Sequence, residues 1–196
     1  MREQFIAYFS KFAHLTEPEK AAIYAGARIQ NFPKDTILLR DNQVSKEVYF
    51  VLKGCVRKYY IIDGEEKTAN FFTEEQWVLS LNSQAQNTPA GFFYDCVEDC
   101  TLVVSREEDY NPMYAAFPRF EAISRLILEK EFSHQQAIQA SYITSSAEQR
   151  YLNLFNLPSD LVHRVPQYQI ASYIGVKPET LSRIRNRLSK KKSSRG

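Results

Sequence analysis

The sequence predicts an α+β chain: a roll of short strands with flanking helices, then a long helix, then a small C-terminal helical unit. Three observations predict it. Between Phe32 and Val104, six short β-type runs are separated by turn signals. From Phe117 to Tyr142, apolar residues recur at helical intervals. Residues 167–186, QYQIASYIGVKPETLSRIRN, read as helix, turn and helix. With 196 residues, 44% of them hydrophobic and 24% charged, the chain can bury the core of one ordinary domain and of a smaller one.

Taken in order, 3–12 and 17–27 have helical character, the second opening with Thr16 as cap and Pro18 in its first turn. Strands are expected at 36–40, 48–52, 56–62, 67–72, 92–97 and 101–105. Gly54 separates two of them, and Asp63-Gly64 is a tight-hairpin signal because both central residues must tolerate positive φ. Strands this short and this regularly spaced predict a barrel-like roll or sandwich. Phe71, Phe72, Trp77, Phe92, Phe93 and Tyr94 are read as its core, the alternative being the lining of a pocket for an apolar ligand.

The long helix, 117–142, carries Phe120, Ile123, Ile127, Ala137 and Ile138 on one stripe, with Leu126 and Leu128 widening it. A helix of that kind between two compact units has two faces to bury, and one of them suits a second copy of the chain. Beyond it, Ser145 and Glu148 are spaced as a capping box for a helix through Phe155, which Pro158 ends.

Charge is uneven. From Ile143 onward 10 Lys and Arg stand against 3 Asp and Glu, net +7, on a body of 142 residues that carries −5. A basic unit on an acidic body points to a polyanion partner. Within it, Ile170, Ala171, Ile174, Val176, Leu181 and Ile184 fall where two crossed helices touch, and Gly175 falls in the turn. Pro178 sets the second helix to begin about Lys177. That helix, 178–188, leaves Glu179, Ser182, Arg183 and Asn186 on its outer face. Such a face suits the major groove of double-stranded DNA. Arg183 can pair with the O6 and N7 of guanine, Glu179 can accept from a cytosine N4, and Ser182 can reach either base type. Lys177, Thr180 and Arg185 are assigned to phosphates.

Other chemistries lack their residues. There is no GxSxG, Walker or GxGxxG motif, so no enzyme is expected. Cys55, Cys96 and Cys100 do not have zinc spacing and are read as structural thiols; His14, His134 and His163 stand singly, so no metal and no cofactor is assigned. No run of about 18 apolar residues and no signal-peptide core is present, so no membrane partner is expected and the cytoplasm is the expected compartment.

VYFVLKGCVRKYYIIDGEEKTANFF in the roll, FPRFEAISRLILEKEF at the start of the long helix and GVKPETLSRIR in the last motif resemble the CRP/FNR transcriptional regulators over nearly the whole chain. The resemblance implies a cyclic-nucleotide-binding-like sensor domain over 1–116, a dimerisation helix over 117–142 and a helix-turn-helix DNA-binding domain over 143–196. It further implies a homodimer through the long helix, a small-molecule effector not identified by sequence, and RNA polymerase as a partner. Glu179, Ser182 and Arg183 are similar to the FNR-type reading head, which implies palindromic sites with a TTGA-like core. The alternative is a receptor module that binds a cyclic nucleotide or another small molecule in the roll, with DNA contact secondary.

Three departures qualify the resemblance. In WVLSLNSQAQNTPAGFFYDC, Ser80 falls where family members place a ribose-binding Glu, and Pro89 and Ala90 fall at the phosphate-binding Arg. No Lys, Arg or His occurs between Lys67 and Arg106, and a buried phosphate without a cation is costly. The site is therefore expected to be degenerate for cyclic AMP. An FNR-type iron-sulfur cluster needs four ligands, and three cysteines are too few. No wing hairpin is evident after Leu188; Lys190, Lys191 and Lys192 are expected to supply backbone contact electrostatically.

Overall fold

The computed structural model describes residues 1–155 and 159–193. Helices α1 (Arg2–Ser10) and α2 (Glu17–Ala25) lead into β1 (Arg28–Phe32), β2 (Ile37–Leu39), β3 (Glu47–Lys53), β4 (Val56–Ile62), β5 (Glu65–Phe72) and β6 (Trp77–Val78). The short α3 (Leu81–Gln86) precedes β7 (Phe93–Cys96) and β8 (Cys100–Arg106). Six helices follow: α4 (Glu107–Ala116), α5 (Arg119–Thr144), α6 (Ala147–Leu154), α7 (Leu161–Arg164), α8 (Gln167–Tyr173) and α9 (Pro178–Ser193).

The strands form two antiparallel sheets, ordered β1-β8-β3-β6 and β2-β7-β4-β5. Because side chains alternate along a strand, each sheet feeds two cores. Tyr49, Val51, Leu102 and Val104 point between the sheets with Val56, Phe72 and Tyr94. Their neighbours Phe50, Leu52 and Val103 point outward and pack on Phe5, Phe9, Ile23, Phe120, Ile123 and Ile127, so α1, α2 and α5 cover the first sheet. Phe71 and Cys55 point outward from the second sheet into the apolar side of the C-terminal helices. Each fully buried side chain of this kind contributes about 1.5–3 kcal/mol.

Local signals explain most bounds. Thr16 and Glu19 form the capping box of α2, with Thr16 N donating to Glu19 Oε2 at 2.8 Å. At the β4–β5 turn Asp63 and Gly64 adopt φ of 53° and 78°, as a two-residue hairpin of this hand requires. The long helix runs Arg119–Thr144 rather than over 117–142: Pro118 stands at the cap, and Ile143 and Thr144 continue the helix until Ser145 turns extended. The cap of α6 is Ser146, not Ser145; its hydroxyl accepts from Gln149 N at 3.2 Å. Pro158, expected to end that helix, lies outside the described residues. The last helix passes 188 and reaches Ser193, because neither Gly nor Pro interrupts it. Cys55, Cys96 and Cys100 are free and buried. No helix among the described residues is long and apolar enough to cross a membrane.

Candidate nucleic-acid interface

The α8–α9 pair is built as its sequence requires. Ile170, Ala171 and Ile174 of the first helix and its end are fully buried, and Leu181 and Ile184 of the second are buried beside them. Gly175 adopts φ of +74° in the turn, where a side chain would be strained. Lys177 O accepts from Thr180 N at 3.0 Å and Leu181 N at 3.1 Å, which fixes the helix start at Pro178. Arg150 stabilises the turn from α6: its Nε and Nη2 donate to Ile174 O at 3.0 and 2.8 Å, placing a cation at the C-terminal end of α8.

With Leu181 and Ile184 turned inward, Glu179, Ser182, Arg183 and Asn186 are all exposed on the opposite face. Lys177, Thr180, Arg185 and Lys190 are exposed too. Arg185 Nη1 donates to Gln167 Oε1 at 2.9 Å, tying the end of this face to the start of α8. Arg187 is engaged by Glu148 of α6. Lys190, Lys191 and Lys192 belong to the last turns of α9 instead of following it, and the side chains from Lys191 onward lie outside the described residues.

The structure brings the C-terminal unit against the roll through residues that sequence reasoning missed. Ser172 Oγ accepts from Thr68 N at 2.8 Å and donates to Glu66 O at 3.1 Å, so α8 caps the free edge of β5. Arg164 reaches Glu74 at 2.8 Å and Glu98 at 2.5 Å, two acids of the roll. Lys177 lies near the hairpin: the Glu65 carboxyl is held below its usual range by a hydrogen bond with Lys67, by that lysine's charge and by the charge of Lys177. The Arg164 and Ser172 pairs span 66 to 106 residues of sequence, beyond the reach of local patterning.

Ser80 is buried at the start of α3, with no hydrogen-bond partner for its hydroxyl. Pro89 is exposed, and Ala90 packs at the edge of the roll core. Ser83, not singled out from sequence, holds this segment: its hydroxyl accepts from Ser45 N at 3.0 Å and donates to Thr88 O at 2.6 Å. Tyr94 donates to Leu79 O at 2.8 Å and Tyr49 to Glu47 Oε2 at 2.9 Å. Lys58, from β4, lies 3.8 Å over the Phe92 ring, and burial holds its ammonium below the usual lysine range. Among the described residues no group of three or more His, Cys, Asp or Glu side chains is arranged to hold a metal ion.

This is the architecture of the CRP/FNR regulators. Residues 29–116 match the family model of the cyclic nucleotide-binding domain. Among solved structures, the chain is similar to the c-di-GMP responsive global regulator CLP of Xanthomonas campestris, with a TM-score of 0.69, 16% identity, and 90% of this chain and 93% of that one covered. It is similar to FixK2 of Bradyrhizobium japonicum, with a TM-score of 0.69, 15% identity and coverages of 84% and 85%. It also resembles a CRP/FNR-family regulator of Eubacterium rectale, with a TM-score of 0.65, 16% identity and coverages of 90% and 85%. A comparison with curated proteins finds no match.

Proposed function

We propose that the chain is a dimeric, sequence-specific DNA-binding transcription regulator, with a sensor-type roll, a dimerisation helix in α5 and a DNA-binding unit in the helices that follow it. The observation that carries this reading is the outer face of α9. Glu179, Ser182 and Arg183 stand exposed at helical spacing, directly opposite the buried Leu181 and Ile184. A surface of that kind presents hydrogen-bonding groups at the pitch of base edges. Dimerisation is supported by α5, where Leu126, Leu128, Phe132 and Ile143 are exposed apolar residues on a helix whose other side is already packed.

In this reading Glu179, Ser182 and Arg183 read a TTGA-like half-site, and two half-sites lie about one helical turn apart. Lys177, Thr180, Arg185 and the lysines from 190 to 192 hold phosphates and make binding salt-dependent. The ligand region at Ser80, Pro89 and Ala90 has lapsed for cyclic AMP. Selection of bound DNA from a random pool tests symmetry and core sequence together. Against the selected site, Arg183→Ala is expected to lose about 1–3 kcal/mol and to relax preference at the guanine. Equal weakening on selected and random DNA would remove the base-reading role.

A further inference from the structure

Outside the roll, a cavity of about 180 Å³ lies between the N-terminal helices, α4 and α5. Its walls include Phe9 of α1, Ile23 of α2, Trp77 of β6, Met113 of α4, and Ile127 and Leu128 of α5. Of the polar groups that reach the lining, the buried Trp77 Nε1 has no hydrogen-bond partner, and others are engaged elsewhere. Ser105 Oγ donates to Gly26 O at 2.7 Å, and Tyr114 OH and Ser124 Oγ pair at 2.8 Å. Asp109 accepts from Arg28 Nη2 at 2.9 Å and Arg106 N at 2.7 Å. A ligand here therefore meets carbon surfaces and aromatic rings, and gains nothing from carrying charge or donors of its own. Apolar spaces of about 150 Å³ lined by such residues accept benzene-sized molecules.

We infer that this cavity is a binding site for a small uncharged molecule the size of one aromatic ring, separate from the interior of the roll. Its walls come from both α4 and α5, so occupancy bears directly on the helix assigned to dimerisation. That last consequence rests on the regulator reading; the binding itself does not.

Trp77 is the only tryptophan in the sequence and lines the cavity, so its fluorescence reports occupancy. Iodobenzene, a single ring bearing a heavy-atom quencher, is the probe. With the full chain, saturable quenching is expected in the wild type. Ala22→Phe and Leu79→Phe, which fill the cavity from two different walls, are each expected to weaken it at least tenfold. Tyr60→Ala, at the edge of the roll core, should leave it within twofold. Circular dichroism identifies any filling variant that fails to fold, and the other then carries the comparison. Quenching that does not saturate in the wild type, or that survives in a folded filling variant, overturns the inference, as does its loss in folded Tyr60→Ala. DNA binding is measured separately, so failure of the regulator reading leaves the quenching result intact and distinguishable.

Discussion

The outer face of α9 and the interior of the roll differ in how they have used their polar groups. On α9, Glu179, Ser182 and Arg183 are exposed, and among the described residues no hydrogen bond or ion pair of the fold depends on them. In the roll, the Tyr49 and Tyr94 hydroxyls are spent on the chain's own oxygens, Ser83 ties α3 to its neighbours, and Lys58 lies on a ring. One surface leaves its hydrogen-bonding capacity unused by the chain itself. The other has largely turned it inward, so α9 offers open polar groups that the roll does not.

The contrast breaks hardest at Arg57, on the outward side of β4. Its guanidinium is 3% exposed, bonded to Asp95 at 2.6 and 3.0 Å and to Glu66 at 2.7 Å. Burial pushes the Asp95 carboxyl up in spite of those bonds, so the carboxylate depends on this one cation. Arg57→Ala strands it, and the loss expected in urea unfolding is about 3–5 kcal/mol. The outer face of α9 is untouched by the change, so folded protein should keep its preference for the selected site. A loss below about 1 kcal/mol would mean that the network is solvated and that the roll does not owe its rigidity to it.

Between the two regions, Glu131 of α5 sharpens the comparison. It continues the inward stripe of Phe120, Ile123 and Ile127, and burial pushes its carboxyl up to about 7, with Lys130 pulling the other way. The folded state thus holds a proton that the unfolded chain releases at lower pH. Stability from this group falls as pH rises through the interval between the ordinary glutamate value and about 7, and stays low above it. Glu131→Gln should remove the loss: equal stability to wild type near pH 4, and about 3 kcal/mol more at pH 8. A variant no more stable than wild type at pH 8 would show that the carboxylate finds a compensating partner on this helix.

What the sequence made legible follows the same division. The strand at 56–62, the Asp63-Gly64 turn and the α8–α9 core rest on neighbours within a few residues, and they stand at those positions. Strand β1 escaped because Arg28–Phe32 alternates weakly, and β6 because two residues carry no period. Helix α4 escaped because Pro112 lies inside it and none of its side chains is buried. The docking contacts of Arg164 and Ser172 join segments far apart in sequence, and no local pattern marks which acid or strand edge they meet. Lys58 was hidden for another reason. Its cation comes from β4, outside the Lys67–Arg106 interval that carries no Lys, Arg or His.

That lysine makes the smallest expected effect the most discriminating. A cyclic nucleotide in the roll needs a cation for its phosphate and a carboxylate for its ribose, and Ser80, Pro89 and Ala90 supply neither. Lys58 is the group able to replace the first, but its ammonium already lies 3.8 Å over Phe92, and burial disfavours its charge. Moving it toward a phosphate would give up the ring contact, worth about 0.5–1 kcal/mol, without restoring the ribose partner. Cyclic AMP at millimolar concentration should therefore leave the thermal midpoint unchanged. A micromolar site would add about 4 kcal/mol under that excess, a shift of several degrees. Such a shift, abolished by Lys58→Met, would show that β4 has taken over the phosphate and that the roll keeps a ligand in a new pose.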